Sequence, residues 1–402
     1  MSKSLRVAIF LVFTSLKRGN FGITLLTVLI LAIVVLNLLF VPSLLQGLVS
    51  NANEKLKNTY SGDIVAESAR DAPLIFNVDS LITKIKAISG VVAVTTRNNL
   101  AAEISFDNER TICTVYGILP EQEKSVLTIN QWMLEGTYLD SNDRDEILLG
   151  IQLAGADKSS IELYSRSLKK VHAGDKIQVT YANGVKKTYK VKGIFYTEFI
   201  QTDLQALVSE TEFETIYPPA ANKASSIRVK IDNRANAASI IEQMEKIDNN
   251  LRILTWEDYA GIVRSMTDSF NVIDAILNSV NLLVAGITVF IITYIDVTTR
   301  RRQIGIQRAI GITQSSITLA YLMRAVVYAI AASIVASLLF TYIVIPLEAK
   351  YPFHFPFGNV YLSTGFSSMA RATVILLCAA VVAALVPVWI ASRIKILDAI
   401  WG

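Results

Sequence analysis

Apolar residues form four long runs that carry almost no charge. They cover residues 21–41, 276–295, 317–345 and 372–391. A helix needs about 20 apolar residues to cross a hydrocarbon core about 30 Å thick, so each run is long enough to span a membrane. The pattern predicts four transmembrane helices, with the first span and the start of a stalk in 21–45. Between and beyond them lie the segments 1–20, 46–258, 296–316, 346–371 and 392–402.

The first segment predicts a different kind of helix. Its apolar stretch, residues 4–16, is flanked by Lys3 and Arg6 and by Lys17 and Arg18, and it is too short to cross the membrane. We expect an interfacial helix on the cytoplasmic face. A cleaved signal peptide is the alternative for 21–41, but that run is long for such a peptide and no small-x-small cleavage site follows it.

The charges are unevenly distributed and indicate an orientation. Residues 48–270 contain 25 Lys and Arg against 30 Asp and Glu, whereas the rest of the chain contains 13 against 4. Basic residues accumulate in short cytoplasmic segments of membrane proteins. We therefore expect an inner-membrane protein with both termini in the cytoplasm, its large domain outside, and lipid rather than nucleic acid around its basic parts.

The basic segment 296–316 reads DVTTRRRQIGIQRAIGITQSS and interleaves arginines with isoleucines. It is at least a marker of topology. Ile306 and Ile310 are four residues apart and Ala309 is three after Ile306, which places all three on one helical face. The second interpretation is therefore a docking helix for a cytoplasmic partner, with Ile304, Ile306 and Ile310 as its apolar contacts.

Two heptad-like patterns enter and leave segment 46–258. They recur at spacings of three and four and predict helical stalks. The second pattern runs into the apolar run within 259–295, which predicts one helix over 256–295, about 60 Å long at 1.5 Å per residue. Amphipathic helices packed on the domain are the alternative. The stalk positions are Leu45, Val49, Ala52 and Leu56, and Tyr259, Val263, Met266 and Phe270.

Segment 46–258 shows two strand–helix–strand patterns. The first covers 61–68, 79–89 and 91–96, and the second covers 225–231, 236–247 and 252–256. Two such units predict a ferredoxin-like α+β core with its two chain ends together. We place a β-rich insertion at about 120–220, with a hairpin whose Asn183-Gly184 pair supplies the positive φ angles of a tight turn. The predicted fold is a four-helix membrane protein with this large α+β extracytoplasmic domain on helical stalks.

Little in the chain suggests catalysis. The two cysteines, Cys113 and Cys378, and the two histidines, His172 and His354, are far apart in sequence, and we expect no metal site. The phosphate-binding motif G-x-x-x-x-G-K-[ST] does not occur, so ATP is expected on another subunit. Arg324, seven residues into the third run, is expected to snorkel to the cytoplasmic interface, with a substrate contact inside the membrane as the alternative.

Four stretches carry a specific combination of motifs, namely QIGIQRAIGITQSSI after the second span, 134–155 and 173–195 in the domain, and PVWIASRIKILDAI at 387–400. In this order they resemble FtsX-like permeases, the membrane subunits of ABC transporters of the macrolide-exporter and lipoprotein-releasing type. The family commonly has Glu where Gln303 stands, often an acid near Arg324, and glycines in the third span where this chain has alanines.

The resemblance implies a set of partners. A cytoplasmic ABC ATPase that binds ATP and magnesium would seat on the basic segment, a second identical or paralogous permease would pair with the first, and a periplasmic adaptor or lipoprotein would bind outside. This chain itself would bind no cofactor and would not be an enzyme. The residues assigned to ATPase coupling are Arg300, Arg301, Arg302, Gln303, Ile304, Gly305, Ile306, Arg308, Ile310 and Gly311.

Three functions are compatible with this plan to different degrees. We favour a permease that exports or extracts a lipophilic substrate, namely a lipoprotein, a lipid or an amphipathic drug. The alternative is a transmembrane regulator that activates an envelope hydrolase without transport; the length of the external segment favours export. A membrane-anchored enzyme fits least, since no Ser/His/Asp or paired-carboxylate arrangement is recognisable.

Overall fold

The computed structural model describes residues 3–18, 21–69, 74–155, 166–232, 236–259, 261–355, 358–362 and 365–392. The chain divides into two compact units. The helical unit comprises Met1–Leu48, Asp268–Phe353 and Val360–Gly402, and the α+β unit comprises Val49–Thr267 and His354–Asn359. The C-terminal part of the motif at 387–400, including Arg393 and Lys395, lies outside the described residues.

The helices follow in chain order. They are α1 (Lys3–Arg18), α2 (Phe21–Lys55), α3 (Val78–Lys86), α4 (Pro120–Val126), α5 (Ile151–Ala154), α6 (Ile200–Asp203), α7 (Glu210–Ile216), α8 (Ala237–Ile247), α9 (Trp256–Tyr259), α10 (Gly261–Thr299), α11 (Arg301–Ala309), α12 (Gln314–Leu339), α13 (Ile345–Lys350) and α14 (Phe366–Ser392). A π-helical turn, Leu56–Ser61, follows α2, and another, Phe340–Val344, joins α12 to α13.

The strands are numbered in the same way. They are β1 (Ile64–Ser68), β2 (Ile75–Phe76), β3 (Val91–Phe106), β4 (Glu109–Ile118), β5 (Met133–Gly136), β6 (Glu146–Gly150), β7 (Lys176–Tyr181), β8 (Lys186–Phe195), β9 (Gln205–Ser209), β10 (Lys223–Ala224), β11 (Ser226–Ile231), β12 (Leu251–Thr255), β13 (Phe353–Phe355) and β14 (Gly358–Val360).

Four helices among the described residues are long and apolar enough to cross a membrane. The candidate spans are Thr24–Ser61, Val272–Thr299, Gln314–Lys350 and Ser368–Ile390. The four predicted membrane helices are confirmed, and the third extends beyond residue 345 through α13. α2 continues through Pro42 to Lys55, and α10 runs unbroken over 39 residues, so both predicted stalk segments are helical.

Small residues close the core of the helical unit. Ala329, Ala332 and Ala336 on α12 and Ala380 and Ala384 on α14 are fully buried in one apolar cluster, to which α2 and α10 also contribute. Small side chains let helix backbones approach closely in an environment where lipid offers no hydrophobic driving force. The alanine positions therefore form packing seams.

The ferredoxin-like core is the first layer of the α+β unit. Strands β12, β1, β11 and β3 lie side by side in that order, and each neighbouring pair is antiparallel. α3 precedes β3 and α8 precedes β12 in the chain, and apolar residues of both helices bury the same sheet face, with Ile85 and Met244 inaccessible to solvent. The order matches two interleaved strand–helix–strand units, as predicted.

The same sheet continues beyond this core into a second part, which we call the second layer. β3 runs for 16 residues, far beyond the predicted 91–96, and its second half pairs with β4 and β7. The boundary placed at residue 120 is therefore too late, because the second layer already begins within β3. β4, β9, β6, β8 and β5 continue the same sheet over a separate core that includes Ile104, Val179 and Phe213.

The hairpin between β7 and β8 is confirmed, but its turn differs from the prediction. Gly184 has φ +86°, whereas Asn183 is not among the residues with positive φ. Tyr181 donates its backbone N–H to the Val185 carbonyl at 2.9 Å, which leaves residues 182–184 as a three-residue loop. Loops of this length need only the last residue in the left-handed region, which is where the glycine stands.

Candidate functional site

The basic segment folds into α11, a short helix between α10 and α12. Arg300 precedes its first turn, and Gly311, with φ +95°, follows its end. One face of α11 points into the helical unit. Ile304 is only 4% exposed and packs against Val297, Ile317 and Val388. The expectation that Ile304 contacts a partner is wrong, because this side chain anchors α11 to the membrane helices.

The opposite face of α11 presents apolar side chains to solvent. Ile306 is 48% exposed and Ile310 is 73% exposed, one helical turn apart. Arg301, Arg302 and Gln303 are also exposed, whereas Gly305 is buried and Arg308 is half-buried. The structure thus divides the ten predicted coupling residues into a group that faces the helical unit and a group that faces solvent. We define the outer ridge as Ile306 and Ile310 with the exposed arginines Arg301 and Arg302.

An ion-pair network joins the last turn of α10 to Arg300 and to Arg324 on α12. One Asp296 oxygen accepts from Arg300 Nε at 3.1 Å, and the other lies 2.8 Å from Arg324 Nη1. Arg324 Nε donates to the Tyr328 hydroxyl at 2.7 Å, and the residue is only 6% exposed. Snorkelling of Arg324 towards the cytoplasmic interface stays a prediction, to which the structure adds Asp296 as an ion-pair partner. Asp296 supplies a buried counter-charge, which lowers the cost of burial.

The predicted stalk positions are described in part. Ala52 and Leu56 are buried, Leu45, Val49, Tyr259 and Phe270 are half-buried, and the side chains of Val263 and Met266 lie outside the described part of the structure. At the end of the first stalk, Tyr60 packs against Tyr259, with ring centroids 6.0 Å apart. The segment that enters the α+β unit and the one that leaves it therefore meet through two aromatic rings.

A buried arginine lies against these two rings. The guanidinium of Arg228, on β11, is 5.5 Å from the Tyr60 ring centroid and 5.8 Å from that of Tyr259. Its side chain is 1% exposed, and its Nε and Nη1 have no hydrogen-bond partner among the residues that the structure describes. Burial, and then the nearby Arg97, lower the pKa of Arg228. Tyr60, Tyr259 and Arg228 form what we call the stalk clamp.

The second buried arginine beside the clamp is fully paired. Arg97 Nε donates to Glu123 Oε1 at 2.7 Å, and its Nη1 donates to Gln205 Oε1 at 3.0 Å. Burial acts to lower the pKa of Arg97, but the Glu123 carboxylate outweighs it and raises that pKa above its ordinary value. Sequence reasoning missed this cluster; the available signal was one arginine just after the predicted strand 91–96 and another inside the predicted strand 225–231.

Groups suited to metal binding or nucleophilic chemistry are scarce. No cluster of three His, Cys, Asp or Glu side chains that could hold a metal ion occurs in the described ranges of the chain. Burial raises the pKa of the Cys113 thiol to about 12, which keeps it protonated and inert at neutral pH.

Comparison with known proteins adds two family matches. The MacB-like periplasmic core domain matches residues 24–247, more than half of the chain, and the FtsX-like permease C-terminal domain matches residues 275–396. An uncharacterized ABC transporter permease of Methanocaldococcus jannaschii is 23% identical over 323 residues, 77% of each chain. The uncharacterized ABC transporter permease YknZ of Bacillus subtilis is 21% identical over 260 residues, 61% of each chain.

Two solved structures are similar over the external part. The periplasmic region of MacB from Actinobacillus actinomycetemcomitans gives a TM-score of 0.35 at 12% identity and covers 50% of this chain and 92% of that one. The extracellular domain of YknZ, a noncanonic ABC-type transporter from Gram-positive bacteria, gives 0.34 at 14% and covers 48% and 99%. On the two family matches, the chain is an ABC transporter permease subunit that belongs to the MacB/FtsX-type family.

Proposed function

We propose that this permease couples ATP hydrolysis by a separate cytoplasmic ABC ATPase to movements of its extracytoplasmic α+β unit, and that these movements export or extract a lipophilic substrate. The observation that supports this proposal is the exposed outer ridge of α11. The ATPase seats on this ridge, two permease copies pair, and an adaptor or lipoprotein binds outside. Both chain termini then face the cytoplasm, on the side of α11.

The ridge has the properties of a docking surface. Ile310 is the more exposed of its two isoleucines, at 73%, and arginines stand beside it. Apolar anchors surrounded by charged residues are typical of the centre and rim of protein interfaces. Ile304 packs the other face of α11 against the membrane helices. A displacement of the ridge is therefore transmitted directly to those helices.

The packing of the helical unit favours a conformational cycle that acts on the substrate outside the membrane. Ala329, Ala332 and Ala380 are fully buried where α12 and α14 meet, and Arg324 is engaged by Asp296 and Tyr328. A polar path for a hydrophilic substrate would require charged or polar side chains that line an open route. The arrangement therefore supports a conformational cycle outside the membrane and a lipophilic substrate.

Replacing Ile310 with aspartate tests the docking surface. Burying an isoleucine contributes about 1.5–3 kcal/mol, and about 1.4 kcal/mol corresponds to a tenfold change in affinity. We therefore expect Ile310→Asp to weaken retention of the ATPase at least about tenfold. The measurement is the amount of ATPase retained when the tagged permease is purified from its own cells in mild detergent.

Two matched variants separate docking from folding. Ile112→Asp makes the same change at a 78% exposed position on β4 and should retain the ATPase normally. Ile304→Asp buries a charge and should reduce the yield of folded permease itself. Full retention of the ATPase on Ile310→Asp, with normal folding, would refute the assignment of the ridge.

The same purification distinguishes the two functions by what else is retained. An adaptor or lipoprotein alongside the ATPase supports export, and a cell-wall hydrolase supports the regulator. We favour export because the α+β unit carries a whole second layer, from β3 to β5, beyond the ferredoxin-like core. Such a layer provides an additional surface on which a substrate or adaptor can bind.

A further inference from the structure

A cavity of about 210 Å³ lies within the helical unit, between α1, the α11 region and the first turns of α12. Small-molecule sites for drug-sized ligands usually occupy about 300–1,000 Å³, and one water occupies about 30 Å³ of liquid. The cavity therefore has room for a headgroup-sized ligand. Arg300 and Gln303 belong both to its lining and to the predicted coupling residues, whereas Ile306 and Ile310 of the outer ridge do not line it.

The polar wall of the cavity carries an excess of positive charge. Arg300 and Arg324 both line it, and both contact the single carboxylate of Asp296. Two guanidinium groups and one carboxylate give this wall a net charge of +1. In a partly buried site this charge is poorly screened, so an anion is the ligand that the wall favours.

Hydrogen-bond donors remain after the internal contacts are made. Asp296 accepts from Nε of Arg300, and within the described part of the chain this leaves the two terminal nitrogens of that planar group for a ligand. Gln303 and Gln307, four residues apart on α11, line the same wall. Side-chain amides donate hydrogen bonds without adding negative charge. Arginine and amide donors that line one cavity suit phosphate oxygens.

The remaining wall is apolar. Leu11 of α1 and Ile317 of α12 line it. On the outer face of α1, Phe10 is 68% exposed and Phe13 is 71% exposed, which is typical of an interfacial helix that inserts aromatic rings among acyl chains. The polar wall thus stands next to the level at which lipid headgroups end and acyl chains begin.

We propose that this cavity binds a phosphate ester and that its source is the headgroup of an anionic phospholipid in the leaflet that surrounds α1. The lipid holds α1 against α12 and places a phosphate beside the Asp296 network. This role is independent of the proposed function, since it requires neither the ATPase nor the transported substrate.

Native mass spectrometry of the full-length, delipidated protein in detergent tests the proposal. The probes are phosphatidylglycerol, phosphatidylcholine and glycerol 3-phosphate. We expect phosphatidylglycerol to bind at least about tenfold more tightly than phosphatidylcholine, since the site carries one net positive charge. A soluble glycerol 3-phosphate that displaces phosphatidylglycerol at equal concentration would overturn the lipid as the source.

Two cavity variants and one control complete the test. Arg300→Gln removes the excess charge and Gln303→Glu adds a carboxylate, and each should weaken phosphatidylglycerol binding at least about tenfold. Gln303 is exposed, so this variant remains informative if Arg300→Gln folds poorly. Gln314→Glu makes the same change outside the cavity lining and should bind as the unmodified chain does. Unchanged binding in Gln303→Glu would overturn the site.

Discussion

Replacing Asp296 with asparagine should destabilise the protein more than replacing Arg324, the buried cation with which it pairs. Asp296 is the only carboxylate described in contact with Arg300 and Arg324. Asp296→Asn therefore leaves two cations without their counter-charge, whereas Arg324→Gln leaves Asp296 paired with Arg300 at 3.1 Å. The asymmetry follows from one acid that serves two bases.

The burial of each group sets the size of the effect. The Arg324 side chain is 7% exposed and that of Asp296 is 16% exposed. Removing one partner of a buried ion pair costs about 3–5 kcal/mol, and losing a hydrogen bond to a charged group costs about 1.5–3 kcal/mol. We assign the first range to Asp296→Asn and the second to Arg324→Gln. The double variant should be more stable than Asp296→Asn alone, because it removes the buried Arg324 charge and leaves unpaired only Arg300, whose side chain is 24% exposed.

Thermal unfolding of the full-length protein in detergent, followed by the fluorescence of its four tryptophans, measures these differences. At about 2–4 °C per kcal/mol for a domain of 150–250 residues, Asp296→Asn should lower the Tm on the order of 10 °C. Asp107→Asn makes the same change at an exposed turn that tolerates asparagine and should leave the Tm unchanged. A Tm for Asp296→Asn within error of this control, or a double variant less stable than both single variants, would refute the reasoning.

Two further predictions concern the α+β unit. Replacing Tyr60 or Tyr259 with leucine should cost up to about 2 kcal/mol each by removing a desolvated cation–π contact with Arg228, whereas Tyr60→Phe keeps the ring; equal Tm values for Tyr60→Leu and Tyr60→Phe would disprove the clamp. Burial raises the pKa of Asp203 to about 7, against hydrogen bonds from Thr197 that lower it. The native state therefore holds a proton that the unfolded chain releases above about pH 4, so the free energy of unfolding should fall as the pH rises from about 4 to about 7, by at most about 4 kcal/mol. Asp203→Asn keeps the acceptor oxygen for Thr197 and should flatten this dependence; an equal slope in a pH series of Tm values would contradict it.

The parts of the fold that follow from local patterns could be predicted from the sequence. The long apolar runs became α2, α10, α12 and α14, since only a helix satisfies its own backbone across a membrane. The alternation and spacing of apolar residues placed α3 and α8 between strands, and the arrangement of those strands followed from the ferredoxin-like topology.

The candidate site was predicted less completely, because its contacts join residues far apart in the chain. The four-residue spacing placed Ile306 and Ile310 on one face of α11 but could not show that Ile304 turns inward against Val388. Likewise, the position of Arg324 in an apolar run indicated a cost of burial, whereas the acid that offsets it lies on α10. β3 exceeded its predicted length because its second half is held by β4 and β7, and that support is not visible in its own residues.

The pairing of β1 with β12 has a consequence for how proteins with this fold can evolve. Ile64 lies opposite Thr255, so β1 and β12, the first and last strands of the large sheet in chain order, lie one strand spacing, about 4.8 Å, apart. The chain segment between β1 and β12 begins and ends at neighbouring strands of the sheet, so the length of this segment does not affect the distance between its ends. A set of strands such as β4 to β9 can therefore be gained, lost or exchanged as a module, while β1 and β12 keep a constant separation.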